Sequence, residues 1–109
     1  MGSLYYGTGR FAVEIDDRPL AHVKVALLLL LREGYGVAFT FTPSQAHGGG
    51  RDTLWISPTT DIRFFFSGGR SPSINDEWVR EIVETAHSPT GMRLIPEPSE
   101  QHSLTTATG

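Results

Sequence analysis

The sequence predicts a small α+β protein, and three observations carry that prediction. Two stretches show apolar residues at helical spacing. Four or five shorter stretches alternate apolar and polar residues, the period of a half-buried strand. Turns and loops rich in glycine and proline separate them. The elements read ββα-βββ-αβ, and an antiparallel or mixed sheet with two helices packed on one face is the simplest way to bury the stripes. With 109 residues there is mass for one domain, expected over residues 1–98, followed by a polar tail over 99–109.

The first pair of strands reads as a hairpin. Leu4 to Tyr6 forms one arm, Gly7-Thr8-Gly9 supplies a turn, and Phe11, Val13 and Ile15 alternate with Ala12 and Glu14. Gly7-Thr8-Gly9 lacks the third glycine and the following helix of a phosphate-binding fingerprint, so a turn is the better reading. A helix follows. Asp16 or Asp17 can cap it, Pro19 suits its first turn, and Gly34 is a natural stop. Leu20, Val23, Leu27, Leu30 and Leu31 form its apolar stripe. Val25, Leu28 and Leu29 lie roughly opposite, so the helix is apolar nearly all round. Either another part of this chain covers that second face, or a second chain does, which makes Val25, Leu28 and Leu29 candidates for self-association.

Three further strands are expected: Val37–Phe41, Leu54–Ile56 and Ile62–Phe66, joined as an antiparallel meander. Gly48-Gly49-Gly50-Arg51, in the first connection, could hold an anion on backbone amides, although no helix N-terminus follows it and a flexible connection explains it as well. The second helix should start near Ser73, with Ser73 and Asp76 as an approximate capping box. It buries Trp78, Val79, Ile82, Val83 and Ala86. Met92–Ile95 reads as a last short strand, ended by Pro96 and Pro98.

Composition excludes several classes of chemistry. Without cysteine there is no disulfide framework, thiolate metal site or cysteine nucleophile, and a reducing cytoplasm is the expected compartment. The longest apolar run, Val25–Leu31, is too short to span a bilayer, and no membrane partner is expected. The net charge of −3 argues against a general nucleic-acid binder. His22, His47, His87 and His102 share no metal-ligand spacing and read as solvated or capping residues. No serine sits in a nucleophile-elbow pattern. No catalytic residue, metal or cofactor is therefore assigned. One binding constellation stands out: Arg51, Trp55 and Arg63 fall out of phase with the core positions, and a tryptophan between arginines on one face of the meander suits stacking on a base or holding an acidic peptide. The alternative places Trp55 under a helix or against Phe65.

Several runs together carry a resemblance. They are Gly2-Ser3-Leu4-Tyr5-Tyr6-Gly7, Ile15-Asp16-Asp17-Arg18 with Leu20-Ala21-His22, Leu54-Trp55-Ile56-Ser57-Pro58, the Trp78 helix, and Gly91-Met92-Arg93-Leu94 with Pro96-Glu97-Pro98. From Met1 to about Pro98 the chain resembles a small actinobacterial domain of unknown function, often labelled "ATP-dependent DNA ligase" in sequence collections. The label implies a role beside DNA ligation or repair. It does not imply ligase chemistry here: a ligase attacks the nucleotide with a lysine typically followed by x-Asp-Gly, and the single lysine, Lys24, lies in His22-Val23-Lys24-Val25-Ala26. The sequence therefore points to a non-catalytic interaction module, a homodimer or a partner of another protein. A nucleic-acid accessory domain is the alternative.

Overall fold

The computed structural model describes residues 1–9, 11–42 and 50–98. The expected 99–109 tail, His47, His102 and most of the Gly48–Gly50 connection lie outside the described residues. The chain runs β1 (Gly2–Tyr6), β2 (Ala12–Ile15), α1 (Asp17–Arg32), β3 (Val37–Phe41), β4 (Asp52–Ile56), β5 (Ile62–Phe65) and α2 (Asp76–Ala86). The fold is α+β, with all the pairing between named strands antiparallel.

β1 and β2 form the expected hairpin, with Leu4 opposite Val13 and Gly7 at φ 74° in the turn. The meander does not form. β3 pairs with β4, but β5 leaves β4 and adds to the other side of β1, giving one sheet in the order β2-β1-β5 and a second of β3-β4. The turn between β4 and β5 is tied by its own hydroxyls: Thr60 Oγ1 accepts from Ser57 N at 2.9 Å and lies 3.0 Å from Ser57 Oγ. β5 then meets β1 with Leu4 opposite Phe64. Alternation fixed which face of β5 is apolar, but β1 and β4 both offer an apolar face, so it left the partner open.

β1 is thus a central strand, crowded from both sides. A Cβ on Gly2 would stand 2.6 Å from Leu20 Cδ2 and 2.6 Å from the Phe65 carbonyl, so only glycine lets α1 and β5 approach this closely. The expected strand at Met92–Ile95 is reduced to a bridge, in which Met92 pairs in parallel with Phe39 and exchanges hydrogen bonds with Ala38 and Thr40. Pro96 and Pro98 bar its continuation as a paired strand.

α1 lies against β1 and β3, and α2 against α1 and β3. The core lies between them, from Leu4, Leu20, Val23 and Leu27 through Val37, Phe39 and Ile56 to Trp78, Ile82 and Met92. α1 begins after Asp16, whose side chain makes no capping bond, and ends as expected before Gly34 at φ 87°. Its acidic first turn serves another purpose. The Asp17 carboxylate reaches across to the segment after β5 and accepts from Gly68 N at 2.8 Å and Ser67 N at 3.2 Å. The Gly68 amide is the main reason that Asp17 titrates below the usual range. α2 is capped by Asn75, not Ser73: Asn75 Oδ1 accepts from the amides of Glu77 and Trp78.

Candidate interaction surface

The outward face of β4 carries Trp55, 61% exposed, beside Thr53. The indole has a seat. It lies across Gly36, where a Cβ would come within 2.3 Å of Trp55 Cζ2. The Trp55 carbonyl, on the free edge of the strand, accepts from the Tyr6 hydroxyl at 2.7 Å, and Asp52 Oδ1 accepts from the Thr53 amide. These bonds occupy edge groups that would otherwise invite another strand. The tryptophan is therefore held by its backbone while its ring faces solvent; Tyr35, the residue before Gly36, is also 58% exposed.

Arg51 and Trp55 share the parity of one strand face, about 13 Å apart at the usual rise per residue. Arg51 also lines a cleft of about 520 Å³ between β2 and β3, together with Arg93, Glu14 and Asp16. Arg63 belongs to β5, in the other sheet, and its guanidinium stands 5.2 Å from the ring centre of Tyr5, its cross-strand neighbour. The common meander face expected for Arg51, Trp55 and Arg63 is absent because β5 pairs with β1.

The candidate self-association face is divided. Leu29 is half exposed, Leu28 is half-buried, and Val25 is half-buried and packed against the core. Lys24 lies on the same helix with its ammonium group 5.7 Å from the centre of the Phe66 ring, a cation–aromatic contact.

The densest polar cluster joins α1, α2 and the 95–98 arm, and sequence reasoning did not find it. His22 is fully buried, contrary to its expected solvated or capping role. Its Nδ1 lies 2.7 Å from the Arg18 carbonyl, and its Nε2 lies 2.9 Å from the Asn75 amide nitrogen. A carbonyl can only accept and an amide can only donate, so the ring is neutral with its proton on Nδ1. The ring also stacks on Trp78, centroids 4.4 Å apart.

Around it, Arg18 grips Glu97 through Nε at 2.9 Å and Nη2 at 2.6 Å, and donates through Nη1 to the Ser73 carbonyl. Asn75 Nδ2 donates to Glu97 and to the Pro98 carbonyl, and Trp78 Nε1 to the Ile95 carbonyl. The Arg18 bonds, then the Asn75 bond, hold the Glu97 carboxyl down at about 2. Asn75 was the available signal: it is a stronger cap than Ser73 in context, because Asp76 and Glu77 follow it directly.

Among the described residues, every buried side-chain polar atom has a partner, no three histidine or carboxylate side chains converge as a metal site, and no helix is long and apolar enough to cross a membrane. The arrangement defines a small α+β domain with a buried polar tie between its helices and aromatic rings on its outer strands. A family model described as a domain of unknown function (DUF7882) matches residues 1–97, and the chain belongs to that family. No curated protein and no solved structure matches it.

Proposed function

We propose that the chain is a non-catalytic interaction module that associates with a second copy of itself through the outer flank of α1. The observation that carries this reading is Leu29, 50% exposed on a helix whose other apolar residues are buried or half-buried. Leu28 and Val25 extend its apolar surface, and Arg32 and Glu33 supply a polar rim. A contiguous apolar patch left in water and rimmed by polar residues marks an interaction surface.

Light scattering behind size-exclusion chromatography tests this. The expected result is a dimer that Leu29→Glu converts to a monomer, with the fold intact by circular dichroism. A strict monomer at high protein concentration overturns the reading.

A nucleic-acid accessory domain, cytoplasmic and linked to DNA ligation or repair, is the second reading. It is favoured by Arg51 and the open ring of Trp55 on one strand face, and by the likeness to actinobacterial chains that carry the ligase label. The net charge of −3 weighs against it. Co-elution with a short duplex at low salt, lost in Trp55→Ala, would move the weight to this reading.

A further inference from the structure

His22 is the one fully buried ionisable side chain among the described residues, and the interaction surface makes no use of it. Both ring nitrogens are committed. Nδ1–H donates to the Arg18 carbonyl, and the Nε2 lone pair accepts the Asn75 amide. A second proton can enter only at Nε2, where it would meet the Asn75 N–H head on.

We propose that His22 is an acid-released latch: protonation at Nε2 expels the Asn75 amide and frees the N-terminus of α2 together with the 95–98 arm. The release is joint because Asn75 links the parts. Its amide holds His22, its Oδ1 caps α2 at Glu77 and Trp78, and its Nδ2 holds Glu97 and Pro98.

The charges on the elements packed against the ring are mixed. α1 contributes the Arg18 guanidinium and the arm the Glu97 carboxylate, and the first turn of α2, which packs on the ring through Asn75 and Trp78, carries Asp76 and Glu77. The positive end of the α2 dipole points at Nε2 through the Asn75 amide and opposes a cation there. Arg18 and Glu97 already satisfy each other in a two-point bond, which leaves the carboxylate committed. Held at about 2, Glu97 stays ionised throughout the range in which an imidazole titrates.

Opening exposes the ring to solvent, and a solvated imidazole ordinarily titrates near 6.5. If only the opened form takes the proton, the opening equilibrium rises about tenfold between pH 7.5 and 5.5. Hydrogen exchange on the full chain at both pH values, corrected for intrinsic exchange, reads this directly. The expected result is an approximately tenfold loss of protection at the Asn75, Glu77 and Trp78 amides, with Phe39 and Leu54 unchanged. Nitrogen NMR of the wild-type ring should show Nε2 unprotonated at pH 7.5 and gaining its proton in step with that loss. His22→Gln should abolish the pH dependence, and His87→Gln, at the exposed end of α2, should keep it. A ring that protonates while Asn75 stays protected overturns the latch, as does an equal acid response in His22→Gln. Should that variant fail to fold, the wild-type ring measurement decides alone.

Discussion

The two helices are held in different ways. α1 is long, apolar nearly all round and central, touching both sheets and α2. No side chain caps its start, and its first-turn carboxylate is committed to Ser67 and Gly68. α2 is shorter and buries one stripe, Trp78, Val79 and Ile82, while Asn75 closes its first turn with two hydrogen bonds. A helix buried on several sides gains its stability from tertiary packing and tolerates an open terminus. One buried on a single stripe depends more on its cap.

That contrast can be broken by substitution. Leu27→Ala, at a fully buried position of α1, should cost about 3 kcal/mol, read from urea unfolding. Asn75→Ala should cost about 1 kcal/mol, and more if the bonds to Glu97 and Pro98 cooperate with the cap. Asp16→Ala, at the equivalent position of α1, should cost less than about 0.5 kcal/mol, because its side chain makes no capping bond. Equal losses at Asn75 and Asp16 would erase the distinction between the helices.

Acid sharpens it further, with the smallest effect. Glu97 titrates at about 2 in the folded chain against an ordinary 4.5, so it favours the folded state above pH 4.5 and loses that contribution as pH falls toward 2. Asp17 acts in the same direction below its ordinary 3.8. Urea midpoints at pH 6 and pH 3 should fall less in Glu97→Gln than in the unmodified chain. Both carboxylates are partly exposed to solvent, so salt should weaken the difference.

The positions of the elements were legible because their signals are local. Gly34 ends α1, Leu54 and Ile56 face inward around an outward Trp55, and the α2 stripe is buried as its spacing requires. Pairing was not legible for β5, since its apolar face fits β1 as well as β4. That one choice dispersed Arg51, Trp55 and Arg63, whose grouping depended on a common sheet. His22 misled for a related reason. Beside Lys24 it reads as part of a wet face, and only the arrival of Asn75, more than fifty residues later, supplies the donor that makes burial of a polar ring acceptable. The Arg18–Glu97 grip likewise joins residues that no helical or strand period connects.

The central place of β1 also bears on how the chain is made. β1 leaves the ribosome before its partner β5, which follows only after β2, α1, β3 and β4, with Tyr6 waiting for Ile62. At about 5 to 20 residues per second, that gap is roughly 3 to 11 seconds. During it, one edge of β1 has no strand beside it, and the chain must hold a half-built sheet open without pairing it to a neighbour on the same message. The β1–β2 hairpin and α1 are complete within that interval, so the early fragment can shelter Leu4 under Leu20 before its last strand arrives. The order of synthesis thus constrains assembly alongside the strength of the contacts.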